Sequence, residues 1–236
     1  MICLGLMNLE KHVLIVAGGD GKRMGHSLPK QFLLLSDKPV LFHSFNAFQF
    51  LIDVKFTLVL NSEHFDYWTN ICDSMGFEIP HHIAEGGPSR FHSVKSGLKN
   101  IPHSSLVLIH DASRPFVSKE TILKVIDVAT LKGNAIPAIE VTDSIREISV
   151  SNNKIIDRNK LRAIQTPQAF HSSLIKAAYN QTYNKTFTDD ASVLEATGTK
   201  INIVAGNTEN IKLSNPIDLV IGKSILNIGG DSSNTD

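Results

Sequence analysis

Cysteine, tryptophan and any excess of one charge are scarce in this chain, and each scarcity removes a class of protein. Two cysteines in 236 residues, Cys3 and Cys72, build no disulfide scaffold and no cysteine zinc site, and they fit a reducing cytoplasm. Lys plus Arg and Asp plus Glu both number 23, so no global basic field attracts nucleic acid and positive charge has to act locally. No apolar run approaches the roughly 20 residues that span a bilayer, so no membrane partner is expected. Residues 1–9 are apolar but lack a basic front and a small-residue cleavage site, which reads as a tail rather than a signal peptide, with Met7 as an alternative start. The 10 histidines, His81, His82 and His110 among them, show no His-x-His or Glu-x-x-His spacing, and their neighbours place them in loops or at strand ends. The single tryptophan, Trp68, stands beside Tyr67 in a helical stretch and reads as packing rather than as a platform for a base.

A hydrophobic content of 42% over this length is enough for one sizeable core. Short apolar runs at 13–16, 55–60, 106–109, 135–139 and 201–204 read as strands. Between them Ile122, Val125, Ile126 and Ala129, and again Leu174, Ala177 and Ala178, recur at helical spacing. Such alternation predicts an α/β, Rossmann-like fold: a mostly parallel sheet flanked by helices, with ligands at the carboxyl ends of the strands. The expected domain is single, 12–228, with tails at 1–11 and 229–236.

The most informative segment follows the first strand: Ala17-Gly18-Gly19-Asp20-Gly21-Lys22-Arg23-Met24-Gly25, with Pro29-Lys30-Gln31 close behind. Glycines leave backbone N–H groups uncovered, so a polyphosphate can lie against the main chain, while Arg23 and Lys30 add charge as a planar fork and a mobile point. The dinucleotide fingerprint fails, because Met24 stands where its third glycine belongs. The Walker loop fails too, with Val16 at its first glycine and Arg23 after Gly21-Lys22. A plain glycine turn needs no cations, so the segment reads as a triphosphate-handling loop.

From about His12 to Leu226 the chain carries further blocks in one order: Gly86-Gly87-Pro88-Ser89-Arg90 with Ser93-Val94, His110-Asp111-Ala112-Ser113-Arg114-Pro115, Asp143-Ser144, Asp157-Arg158-Asn159, Gln165-Thr166-Pro167-Gln168, Thr188-Asp189-Asp190-Ala191-Ser192 and Asn210-Ile211-Lys212. With the opening loop they resemble the 2-C-methyl-D-erythritol 4-phosphate cytidylyltransferases. The resemblance implies transfer of a cytidylyl group from CTP to that polyol phosphate, with release of pyrophosphate, in isoprenoid precursor synthesis. Arg23 and Lys30 would then stabilise charge on the α-phosphate and leaving group, while Arg158 and Lys212 hold the polyol phosphate. Ala17, Gly18, Gly19, Gly21, Gly87, Ser93, Asp111 and Ala112 would lie along the nucleotide, and Arg114, Ser144 and Thr166 along the second substrate. Asp111 could orient a Mg²⁺ shell or a substrate hydroxyl; a helix cap is the alternative at such a strand end. Asp189-Asp190 reads equally as a carboxylate pair or a helix start. Asp20 and Pro88 depart from the family pattern. Ribitol-5-phosphate cytidylyltransferase shares the opening loop and is the nearest alternative; a non-catalytic nucleotide-binding regulator would require losing a cation, and none is lost.

Residues 140–160 break the alternation. Polar and β-branched residues on either side of Asn152-Asn153 predict an extended hairpin turning at that pair. A lone hairpin buries too little to be stable and needs something to pack on. In the resembling family such a region is a dimerisation arm, which implies a homodimer.

Overall fold

Alternate residues of the central strands are buried in opposite directions: Val13 and Ile15 pack into one apolar cluster and Leu14 into another, as do Leu58 and Leu60 against Val59. That period of two, apolar on both faces, makes these runs inner strands of a sheet covered on both sides. The computed structural model describes residues 9–18 and 28–231. Its first half runs β1 (Glu10–Val16), the short ladder β2 and β3 (Leu34–Leu35 and Lys38–Pro39), α1 (Val40–Asn46), β4 (Lys55–Leu60) and α2 (Phe65–Met75). Then come β5 (His81–Glu85), α3 (Arg90–Leu98), β6 (Ser105–Asp111), α4 (Lys119–Lys132) and β7 (Asn134–Glu140). The remainder is β8 (Ile145–Ile148), β9 (Asn153–Ile156), β10 (Arg162–Ile164), β11 (Gln168–His171), α5 (Ser172–Ala178), α6 (Asp190–Glu195), β12 (Ile203–Ala205) and α7 (Pro216–Asp231).

Strands β5, β4, β1 and β6 lie side by side in parallel. Beyond β6 the sheet becomes mixed: β11 runs antiparallel to β6 and β7, β10 runs antiparallel to β7, and β12 is parallel to it. The α/β reading therefore holds, with an antiparallel stretch at 162–171 that sequence periodicity did not show. Polar Gln165, Thr166 and Gln168 and the cis Thr166–Pro167 bond interrupt that stretch, so no clean run of two is left to read. Glu10 already pairs with Ser105, and α7 continues past Gly229 to Asp231.

Connections from β1 lead outward through β4 to β5, and the chain then returns to lay β6 on the other side of β1. That reversal opens a crevice at the carboxyl ends of β1 and β6, where an open α/β sheet places its ligands. Helix α3 approaches the sheet closely through Gly97, where a Cβ would come within 2.6 Å of Val59 Cγ2 and overlap Leu14. This contact sets Ser93, one turn earlier, at the crevice.

Trp68 and its neighbours confirm the packing role expected of it. It is 1% exposed and stacks on Phe45 at 6.0 Å, among Phe42, Phe77 and His81. Its Nε1–H donates to His81 Nε2 at 2.9 Å, while His81 Nδ1 lies 2.7 Å from the Ile79 carbonyl. Both contacts are satisfied only by the neutral ring carrying its hydrogen on Nδ1. Burial accordingly lowers the His81 pKa. In acid the unfolded chain takes up a proton that folded His81 refuses, so this contribution to stability is complete above about pH 6.5 and fades as pH falls. Denaturant midpoints followed by Trp68 fluorescence should fall between pH 7.5 and 5, and fall less in His81→Gln; equal slopes would remove His81 as the cause.

Strands β8 and β9 form a sheet of their own, paired from Ile145 opposite Ile156 to Ile148 opposite Asn153. The hairpin stands as expected, but its turn comes earlier than Asn152-Asn153: Ser149 N–H donates to Asn152 O at 2.8 Å, and Asn153 already sits in the ladder. Ile148, Val150 and Ile155 are exposed on it.

Candidate active site

Two cavities meet at the crevice. The larger, about 560 Å³, is lined by Val16, Ala17 and Gly18 after β1, by Lys30, Gln31 and Asn61, by the turn from Gly86 to Arg90, and by Ser93, Asp111–Ser113 and Lys212. The smaller, about 270 Å³, is lined by Arg114, Ile164, Gln165, Thr166, Gln168, Thr188 and Asp189. Arg90, Asp111 and Lys212 belong to both walls. Arg23, Gly19 and Gly21 lie outside the described residues.

Asp111 ends β6, a strand buried along its whole length, and is the only acidic side chain lining the larger cavity among the described residues. It caps no helix. Its Oδ1 accepts from Arg90 Nε at 3.1 Å and its Oδ2 from Lys212 Nζ at 2.6 Å. Burial pushes its pKa up, but Arg90, Lys212 and Arg114 outweigh that and hold the carboxyl far below the usual range, so Asp111 is an anion at any working pH. A carboxylate with a cation on each oxygen is a positioning device rather than a general base.

Behind it, His110 is fully buried, and burial lowers its pKa to about 4. Its Nε2 lies 2.9 Å from the Arg114 carbonyl, so Nε2 carries the hydrogen and Nδ1 accepts from the Thr166 hydroxyl at 3.0 Å. Thr166 Oγ1 in turn accepts from the Asp111 N–H at 3.0 Å. Thr166 thus lines the smaller cavity with a hydroxyl whose hydrogen is already committed. Arg114 donates to the Asn210 carbonyl at 2.7 Å, and its buried Nε has no hydrogen-bond partner among the described residues.

Lys30 opens a single 3₁₀ turn, Lys30–Phe32, set by Pro29 before it. Next to it Gln31 Nε2 donates to Ala17 O at 2.9 Å, which ties this turn to the end of β1. Lys30 Nζ donates to Leu213 O at 3.0 Å, directly beside Lys212, and Leu213 N–H donates to Ser113 O at 2.8 Å. Three loops distant in sequence are thus stitched into one cationic wall.

Ser93 projects from the first turns of α3. Its Oγ accepts from Gly87 N–H at 3.0 Å, and a Cβ on Gly18 would come to 2.8 Å from that same oxygen. Gly18 is therefore glycine for a steric reason as well as for access to main chain. Ala112 N–H donates to Val16 O at 3.1 Å and its carbonyl accepts from Ser44, so the β6 loop contributes a rigid floor. The amino end of α3, capped by Ser89, points the positive end of its dipole into the crevice.

Two expected residues are not gathered here. Ser144 is exposed just before β8, and Arg158 lies exposed in the 3₁₀ turn Arg158–Lys160, its guanidinium on the Thr142 carbonyl. Arg90, by contrast, takes a central place that sequence reasoning gave it only as part of a block. Nothing in periodicity marks an arginine as half-buried between two carboxylates; those partners are 21 and 100 residues away. Asp189 resolves as a helix start, its Oδ1 accepting from Ser192 N–H while Ser192 Oγ bonds back, and Asp190 is a buried ion-pair partner rather than half of a metal pair.

Among the described residues no three His, Cys, Asp or Glu side chains cluster to hold a metal, and no helix is long and apolar enough to cross a membrane.

The family model described as "IspD: 2-C-methyl-D-erythritol 4-phosphate cytidylyltransferase" matches residues 11–228. The 2-C-methyl-D-erythritol 4-phosphate cytidylyltransferase of Bacteroides fragilis is 45% identical over 214 residues, 90% of this chain and 98% of that one. The protein of the same name from Bacillus velezensis is 38% identical over 92% of this chain and 96% of its own. Among solved structures, the 4-diphosphocytidyl-2C-methyl-D-erythritol synthase of Anaerococcus prevotii superposes with a TM-score of 0.80 at 26% identity, covering 94% of this chain and 98% of that one.

Proposed function

Because this chain belongs to the 2-C-methyl-D-erythritol 4-phosphate cytidylyltransferases, joining CTP to that polyol phosphate with release of pyrophosphate, we propose that the nucleotide occupies the larger cavity and the polyol phosphate the smaller. The observation that carries this reading is the shared wall: Asp111, Arg90 and Lys212 face both cavities, where a phosphate monoester oxygen must meet the α-phosphorus of CTP.

The nucleophile belongs to the substrate, so the protein positions two anions and offsets their repulsion. Lys212, steered by Asp111, holds the attacking phosphate near the partition. Lys30, with Arg23 of the opening loop, stabilises negative charge growing on the α-phosphate and pyrophosphate. Arg114 and Thr166 line the polyol side. Gly18, Gly87 and Ser93 lie along the nucleotide with main chain and hydroxyl groups that suit a pyrimidine edge.

The donor set fits a Mg²⁺ carried mainly on phosphate oxygens and water, since among the described residues one carboxylate lines the nucleotide cavity and magnesium takes few protein ligands. Asp111, with lone pairs beyond those given to Arg90 and Lys212, would hold such an ion through its water shell. The ion would supply charge neutralisation across the triphosphate.

Arg158 and Ser144 enter as groups delivered to a neighbouring subunit. Their exposure on a hairpin that pairs only with itself, beside exposed Ile148, Val150 and Ile155, suits an arm that clasps a second copy. The unit of function in this reading is a cytoplasmic homodimer.

Pyrophosphate release should proceed from CTP with 2-C-methyl-D-erythritol 4-phosphate and be slow with ribitol 5-phosphate or sugar 1-phosphates. UTP and ATP should be poorer than CTP by about 100-fold or more in kcat/KM, because a mismatched base edge strands buried polar groups. Equal turnover of UTP and CTP would refute base reading by this cavity.

A further inference from the structure

Asp190, the first residue of α6, is wholly buried and lines neither cavity. Its carboxylate receives a two-pronged pair from Arg90, Nη1 to Oδ1 at 2.9 Å and Nη2 to Oδ2 at 2.7 Å. The Tyr179 hydroxyl donates to the same Oδ1 at 2.6 Å, and its ring is stacked on Phe91 at 4.8 Å. The remaining nitrogen of Arg90, Nε, is the one that reaches Asp111 Oδ1, while Asp111 Oδ2 takes Lys212. Five side chains thus stand in series: Tyr179, Asp190, Arg90, Asp111 and Lys212.

A guanidinium is planar and rigid, so fixing two of its nitrogens fixes the direction of the third. We propose that Asp190 and Tyr179 act as positioning residues, aiming Arg90 so that the Asp111 carboxylate sets the Lys212 amine where the polyol phosphate is received. This inference rests on the two-cavity reading above. Without the charge on Asp190, Arg90 turns its fork toward Asp111 or toward an incoming phosphate, and Lys212 loses its fixed partner. The two cavities are then affected unequally, since Lys212 meets the attacking phosphate whereas the nucleotide keeps its contacts to the β1 loop and α3.

Initial rates with each substrate varied separately test this in Asp190→Asn and Tyr179→Phe. Asp190→Asn should lower kcat/KM for 2-C-methyl-D-erythritol 4-phosphate by about 10- to 100-fold, the size of a lost charge-assisted hydrogen bond, with KM for CTP within about threefold of wild type. Tyr179→Phe, which keeps the ring and its stacking, should show the same pattern at about threefold. Wild-type kinetics in either folded variant would overturn the proposal. So would a lower kcat with both KM values unchanged and a lower melting temperature, the mark of a smaller folded fraction. If Asp190→Asn does not fold, Tyr179→Phe decides alone. Lys212→Ala separates the layers: if it stays fully active the two-cavity reading fails, whereas an inactive Lys212→Ala beside an unaffected Asp190→Asn removes only the positioning role.

Discussion

Lys30→Ala is expected to cut kcat by about two orders of magnitude or more, with KM for CTP changed only a few-fold. The asymmetry follows from where the amine is held. Pro29 before the turn and Gln31 bonded to Ala17 O fix the base of the side chain, and Leu213 O receives its tip at 3.0 Å. A cation preorganised in this way contributes most to charge that appears during reaction, and less to charge already present in bound CTP. Steady-state pyrophosphate release measures both parameters. Turnover within about threefold of wild type would show that Lys30 only braces the loop near Leu213.

The second large effect is a restoration. Arg158→Ala and Lys30→Ala should each be nearly inactive alone, and mixing the two proteins under conditions that exchange subunits should bring back up to about a quarter of wild-type sites. If the arm delivers Arg158 across a two-fold axis, one of the two sites in each mixed dimer carries both wild-type groups, and random exchange makes half of the dimers mixed. Mass spectrometry should first confirm that mixed dimers are present. Verified mixed dimers as inactive as either parent would place Arg158 in its own chain's site and leave the arm a structural clasp.

Much of this architecture could be read from order along the chain, and the part that could not has a common cause. Inner parallel strands announce themselves as apolar runs, so β1, β4, β6 and β7 were legible, with Gly18 and Asp111 at the ends where ligands bind. Strand β5, with His81 and His82, and the interrupted pair β10 and β11 carry polar residues whose partners lie on other elements, as Gln168 does with Asp189 and Ala191. The cations of the site were visible as residue types, but the anions that aim them were not. Arg90 could be quoted in its block, yet its coupling of Asp111 to Asp190 is a tertiary fact, joining residues that neither helical nor strand spacing relates. Thr166 lines the smaller cavity, but its hydrogen bonds to His110 and Asp111 were not legible, because a hydroxyl's partners depend on neighbours the sequence does not order. Glu10 and Lys11 are polar residues that nevertheless pair in the sheet, which no apolar run announces.

The contact between Lys30 and Leu213 O spans 183 residues, and it ties the turn after β1 to a segment reached only much later in the sequence. The pairings of β1, β4, β5 and β6 with one another involve nothing beyond Asp111, whereas residues 210–214 come much later in the sequence. Residues 210–214 bring Lys212 to Asp111 and the Leu213 carbonyl to Lys30. The segment before α7 thus completes a wall around Asp111 that the parallel strands only begin.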